Sequence, residues 1–272
     1  MEMIDLSRLE PQETLNHTSK GNQLKWKYYG YWYKADHMGY EGLAETIVSA
    51  LLGKSTVKYP FVAYEYSQIK YKERIYRGCK SADFLADGYD LIPLEKLYRK
   101  FTGGSLAVDT AHQGEITDQI KFLVNFVEQT TGLQEFGRYL TSMLEIDAFF
   151  LNEDRHTNNI AVQYNAADNT YALCPLFDNG LSLLADTNMD FPLERSLEDC
   201  LKTVEAKPFS RCFDEQLDAA EELYGIQLHF NFSTNDVKVL IDSYRTAYSQ
   251  EICDRCEALI RRQMRHYGYL IQ

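Results

Sequence analysis

The chain has 272 residues, 45% hydrophobic and 25% charged, a balance that excludes a disordered or fibrous protein. Its length accommodates one large core or two lobes with a cleft between them. Twenty-eight Lys and Arg against 40 Asp and Glu leave a net charge of −12, which disfavours nucleic acid and anionic membranes as partners. Anionic ligands therefore need a local device.

Met1 to Glu10 carries Glu2, Asp5, Arg8 and Glu10 ahead of no apolar run, so no export signal is read and a cytoplasmic location is expected, without excluding a leaderless delivery route. No stretch approaches the ~20 apolar residues of a membrane span. Cys79, Cys174, Cys200, Cys212, Cys253 and Cys256 are scattered along a chain large enough to fold without staples, and read as reduced thiols.

Lys25 to Tyr33 is rich in aromatic residues with Gly30 in its middle, which predicts two strands and a hairpin turn, ending near Lys34. Tyr40 to Leu52 places Leu43, Ile47 and Leu51 beside Ala44, Val48 and Leu52, a helical period closed by Gly53. Alternation then predicts strands over Val57 to Tyr66 and Lys72 to Cys79. After Ser81 the pattern turns helical, with helices over Thr117 to Thr131 and Leu133 to Leu151. Phe84 to Gly104 is irregular and receives no assignment. A hairpin is expected from Ile160 to Tyr164 and Tyr171 to Phe177. Four further helices follow, over Leu193 to Ala206, Phe213 to Tyr224, Thr234 to Tyr248 with Ser233 as N-cap, and Glu251 to Tyr267. The order is a strand-rich lobe (1–80) carrying one helix, then a helical lobe (81–272) with a hairpin set into it, an α+β arrangement with its cleft at the junction.

Two polar clusters carry the chemistry. Asn152-Glu153-Asp154-Arg155-His156-Thr157-Asn158-Asn159 sits between an apolar helix end and a strand, where a loop of eight polar residues needs partners near the core. Pro175-Leu176-Phe177-Asp178-Asn179-Gly180 ends the hairpin, whose geometry can return Asp178 beside Asn159. Asn159 and Asp178, with Asp154 nearby, make an oxygen-ligand set for a hard divalent ion that shares phosphate oxygens. Protein kinases use this layout: a loop Asp accepts the substrate hydroxyl proton, an Asn and a following Asp hold Mg²⁺, and a strand Lys paired to a helix Glu positions the phosphates. Lys34 ends the aromatic strand, and Glu41 and Glu45 share one face of the next helix, so either can be its partner.

Asp154 to Asn159 with Pro175 to Asp178 resembles the catalytic loop and metal segment of the HipA-like kinases, a bacterial branch of the protein-kinase-like fold; phosphatidylinositol kinases share a similar Asp-Arg-His loop. Trp32 to Asp36 and Gly39 to Glu45 resemble the lysine strand and helix of the smaller members, which include a translocated effector kinase. The resemblance, covering about Leu15 to Leu183, implies a two-lobed protein-kinase-like fold with an antiparallel N-lobe sheet. It further implies ATP and Mg²⁺ as cofactors, Asp154 as catalytic base, Asn159 and Asp178 as Mg²⁺ ligands, Lys34 on the phosphates and His156 orienting the loop. Ser19, Lys20 and Gly21 would form a looser phosphate loop, and Cys79 and Ser81 would lie at the adenine-contacting hinge. The expected activity is phosphorylation of Ser or Thr on a protein, with Ser19 a self-modification candidate. A lipid or small-molecule kinase, or a nucleotide-binding pseudokinase scaffold, remains the alternative. The metal segment reads Asp-Asn-Gly where ordinary kinases have Asp-Phe-Gly.

Overall fold

A computed structural model of the chain describes residues 3–12 and 23–272. Strands β1 (Met3–Asp5), β2 (Lys25–Tyr28), β3 (Tyr31–Ala35), β4 (Tyr64–Tyr71) and β5 (Arg74–Ala82) form one sheet in the order β1-β4-β5-β3-β2. Its pairs are antiparallel except at one edge, where β1 runs parallel to β4. Tyr29 and Gly30 both take positive φ, the geometry of a tight turn whose twist suits β2 and β3.

Alternation along the strands sorts the residues by face. Trp26, Tyr33, Ala35, Ile69 and Tyr71 pack with Leu6 in a small core on one side. Lys25, Lys34 and Cys79 take the other side, with Lys34 directly opposite both Lys25 and Cys79. Against that side lies α1 (Glu41–Leu52). Two glycines allow the approach: a Cβ on Gly42 would stand 2.5 Å from the Gly78 backbone, and one on Gly78 would stand 2.1 Å from the Lys34 carbonyl oxygen.

The Val57 to Tyr66 strand expected from alternation is displaced. Only Tyr64 onward joins the sheet, and β4 extends through the polar Ser67, Gln68 and Lys70 to Tyr71. The stretch before it is diverted to the helical part, where Phe61 bridges Leu176 and the Val62 amide donates to the Leu176 carbonyl at 2.9 Å.

The irregular Phe84 to Gly104 resolves into β6 (Tyr89–Pro93) and α2 (Leu94–Thr102). β6 pairs with β7 (Ala161–Asn165), itself paired with β8 (Thr170–Leu173), so the expected hairpin is two strands of a three-stranded sheet. Next come α3 (Leu106–Ala111), α4 (Ile116–Thr131) and α5 (Phe136–Phe150). All but one residue of α5 is buried, as suits the central helix of the core. Its end meets an aromatic cluster of Phe149, Phe150, Phe230 and Phe232.

The helix expected over Leu193 to Ala206 shrinks to α6 (Leu197–Leu201). The buried Arg255 guanidinium takes the carbonyls of Phe191, Pro192, Leu193 and Arg195, so these oxygens are engaged away from a helical ladder. α7 (Phe213–Tyr224), α8 (Thr234–Asp242) and α9 (Gln250–His266) complete the chain with a short 3₁₀ turn at Gly268–Leu270. Ser233 caps α8 in a reciprocal pair with Asp236. α8 stops at Asp242, six residues short of the expected end, and Tyr248 is released to bond elsewhere. All six cysteines are free thiols and all but Cys212 are buried. Among the described residues, no helix is long and apolar enough to cross a membrane.

The α1 apolar face joins the same core as α2, α4, α5, α7, α8 and α9. Substituting Gly42→Ala should force α1 off β5 and destabilise the protein by about 1–3 kcal/mol; the urea midpoint, at unchanged slope, measures it.

Candidate functional site

The two polar clusters meet around one buried guanidinium. Arg155 lies 2.8 Å (Nε) and 3.0 Å (Nη2) from the two carboxylate oxygens of Asp147, on the last turn of α5, and both side chains are almost fully enclosed. Its Nη1 donates to the carbonyls of Asn159 (3.2 Å) and Phe177 (3.0 Å), and its Nη2 to Asn179 Oδ1 (3.2 Å). One side chain thus joins the 154–159 loop to the 177–179 segment, tying the stretch that carries Asn159 to the one that carries Asp178. Burial would lower the guanidinium pKa, but the Asp147 carboxylate outweighs it and holds Arg155 above its ordinary value. Asn152 adds a second clasp, donating to Asp147 Oδ1 (2.8 Å) and to the Asp178 carbonyl (3.4 Å).

The loop begins where α5 ends in a left-handed Leu151. Asp154 follows, its side chain 15% exposed. Asn159 Nδ2 donates to the Asp154 carbonyl at 2.9 Å and to its Oδ2 at 3.3 Å. That leaves the amide oxygen of Asn159 as the atom it can offer to a cation. His156 Nε2 is 3.7 Å from Asp154 Oδ1, while its buried Nδ1 has no partner among the described residues. On the far side Thr157 donates to the buried Glu95 of α2 at 3.0 Å.

Lys34 crosses from the sheet into this constellation. Its Nζ lies 2.6 Å from Glu45 Oε1, 3.1 Å from Asp178 Oδ1 and 3.3 Å from the Tyr64 hydroxyl. Burial would lower the ammonium pKa; Asp178 and Glu45 override it and raise Lys34 well above its usual value. The same pairing works on Asp178, where burial favours the protonated form but Lys34 and Lys25 hold the carboxyl well below the usual range. Glu45 also accepts the Asn179 amide at 2.9 Å, so one carboxylate serves both the lysine and the metal segment.

The choice between the two glutamates is therefore Glu45. Glu41 does not join the cluster, because its carboxylate is taken by the amides of His37, Met38 and Gly39, where it closes the loop entering α1. Cys79 on β5 pairs with Lys34 and packs with Val62, Tyr64, Phe84 and Phe177 in a small apolar cluster. Ser81, two residues on, is buried between Trp32 and Tyr64 in the sheet. Ser19, Lys20 and Gly21 lie outside the described residues.

Asp147, Asn152, Glu95, Tyr64 and Lys25 belong to the arrangement and escaped the sequence reading. Asp147 had a signal, an acid inside the apolar Ile146 to Leu151 run, where a buried charge demands a partner. A further acidic group, Glu153, Asp186 and Asp190, brings ligand atoms within 4.8 Å of one another directly beside Asp154. The oxygen donors of Asn159 and Asp178 fit a hard divalent cation, whose preferred ligands are carboxylate and carbonyl oxygens.

α1 is held from outside the sheet as well. Asp36 accepts the Gly42 amide at 2.7 Å and the Tyr248 hydroxyl at 2.8 Å, tying the first turn of the helix to the segment before α9.

No protein-family model matches the chain, and no curated protein matches it. Among solved structures it resembles a Helicobacter pylori proinflammatory kinase, CtkA, with a TM-score of 0.63 at 15% identity, covering 97% of this chain and 94% of that one. At that identity the likeness establishes a kinase-like fold: a five-stranded sheet with a helical part.

Two outcomes follow from these contacts. Replacing Arg155→Met strands the Asp147 carboxylate in the core and should cost about 3–5 kcal/mol in chemical unfolding. Burial first, then the nearby Glu41, push Asp36 up to about 7. The folded protein keeps that proton where the unfolded chain loses it near pH 4, so the stability it contributes is full below about pH 4 and lost as pH rises to about 7. Unfolding measured across this window should show the decline in the wild type and a flatter profile in Asp36→Asn.

Proposed function

We propose that, on this kinase-like fold, the chain is an ATP- and Mg²⁺-dependent kinase that phosphorylates Ser or Thr hydroxyls of a protein substrate. The observation that carries the reading is the convergence of Lys34, Glu45 and Asp178 within 3.1 Å contacts, joined through Arg155 to the loop bearing Asp154 and Asn159. Lys25, directly opposite Lys34 across the hairpin, adds a second positive charge on the same face of the sheet, where a polyphosphate would meet it. That is the local device an acidic protein of net −12 needs.

In this reading residues 1–80 carry the nucleotide side and 81–272 the acceptor side. The wall formed by Val62, Tyr64, Cys79, Phe84 and Phe177 receives the adenine, with the chain from Cys79 to Asp83 at its edge. Lys34 holds the α- and β-phosphates, kept in place by Glu45. Ser19, Lys20 and Gly21 are the phosphate-loop candidates that the motif resemblance implies, and Ser19 is the candidate for self-modification. Asn159 and Asp178 would hold Mg²⁺, which would supply charge neutralisation at the phosphates. Asp154 accepts the hydroxyl proton of the acceptor while its oxygen attacks the γ-phosphorus. His156, 3.7 Å away, orients that carboxylate. Membership of the HipA-like kinases and the acceptor class rest on the motif resemblance.

Incubation with Mg²⁺ and γ-labelled ATP should label the protein or added casein, and mass spectrometry should locate any modified residue. Asp154→Ala should lower transfer by about 10²–10⁴-fold and Asp178→Ala should remove it. Unchanged labelling in both variants would sink the assignment, and label appearing only in added lipid or small alcohols would change the acceptor class.

A further inference from the structure

Asp154 has a cationic neighbour that the catalytic constellation does not account for. Lys207, 53 positions further along the chain, places its Nζ 3.5 Å from Asp154 Oδ1. It stands on the segment between α6 and α7, which is pinned on both sides: Ala206 and Phe209 are buried in the main core, the Ala206 amide donates to the Arg211 carbonyl at 2.9 Å, and the Phe209 amide to Gln216 Oε1 at 3.4 Å. The ammonium is thus delivered to the catalytic loop by a fixed support, while the side chain itself stays 42% exposed and free to change rotamer.

The other cations nearby are committed. Arg155 is buried and spent on Asp147, Asn159, Phe177 and Asn179. Lys34 faces the nucleotide side and is spent on Glu45 and Asp178. Lys207 instead lines a cavity of about 320 Å³ whose walls include Glu153, the residue before Asp154, with Asp190, Phe191 and Arg195. Through Lys207 and Glu153 that space adjoins the catalytic loop, on a side from which a protein side chain could bring its hydroxyl.

We infer that Lys207 is a catalytic residue of the phosphoryl transfer: it engages the oxygens of the γ-phosphoryl group as it passes from nucleotide to acceptor, an inference that rests on the kinase reading above. In the step, the acceptor hydroxyl oxygen forms a bond to the γ-phosphorus and its proton passes to the Asp154 carboxylate. The bond from the γ-phosphorus to the bridging oxygen breaks, and its electron pair leaves with ADP. Protonation removes the negative charge that held Lys207, and the ammonium is left beside a phosphoryl group whose oxygens carry charge in the transition state. A group bound more tightly in the transition state than in the ground state accelerates the step without tightening substrate binding.

The test compares wild type, Lys207→Met and Lys207→Arg, with Asp154→Ala as the control for the base. Calorimetry measures binding of Mg²⁺-ATP and of Mg²⁺-ADP with aluminium fluoride, which mimics the phosphoryl group in flight, and casein labelling measures transfer. Lys207→Met should fold with the wild-type melting temperature and bind Mg²⁺-ATP within about twofold. It should lose about ten- to a hundredfold in both transfer rate and affinity for the aluminium fluoride complex, and Lys207→Arg should recover most of each. Transfer and analogue binding within twofold of wild type in Lys207→Met, with Asp154→Ala inactive, would overturn the role of Lys207 and leave the kinase reading standing. An equal loss of Mg²⁺-ATP and analogue binding would also overturn it, making Lys207 a ground-state ligand. A wild-type protein that binds neither nucleotide complex and transfers nothing would overturn both.

Discussion

A guanidinium placed in a core with nowhere else to go organises this protein. Arg155 and Asp147 are both enclosed, and separating them would leave a buried charge without compensation. That penalty fixes the end of α5, the 154–159 loop and the 177–179 segment relative to one another, because every remaining donor of Arg155 is taken by one of those pieces. The gain from such a pair is in geometry more than in stability, since apolar residues of similar size would pack as well. Lys34 then joins the assembly from the sheet, through carboxylates whose positions Arg155 and the Asn179 amide already determine.

Much of this was legible in the chain. The aromatic alternation around Gly30 gave β2 and β3, the three-and-four spacing after Tyr40 gave α1, and the capping residue at Ser233 was visible as such. The two clusters at Asp154 and Asp178 stood out because polar residues wedged between apolar elements need partners near the core. What escaped depends on contacts between distant positions. β4 runs through polar residues that alternation alone places in a turn, and α6 is short because Arg255, some 60 positions away, engages the carbonyls ahead of it. Glu41 and Glu45 occupy the same helix face, and only the loop amides at 37–39, which claim Glu41, separate their roles. Lys207 has no local signature at all, since nothing in its neighbours in sequence points to Asp154.

The acidity of the chain and the chemistry of the site fit together on this view. Carboxylates of Glu45 and Asp178 keep Lys34 charged despite its burial. The acidity summed in the net charge of −12 is thus present inside the constellation too, where it is balanced against Lys34 and Arg155.

The packing of α1 has a consequence for control. The helix is pressed to β5 through the Gly42 and Gly78 backbones, shares one apolar core with the helices behind it, and is tied at its first turn through Asp36 to Tyr248. A helix braced on three sides has little room to swing, so the Lys34 to Glu45 contact is completed by folding itself. The contact that orders Lys34 is thus made by the same packing that builds the core, with no separate movement of α1 needed to form it.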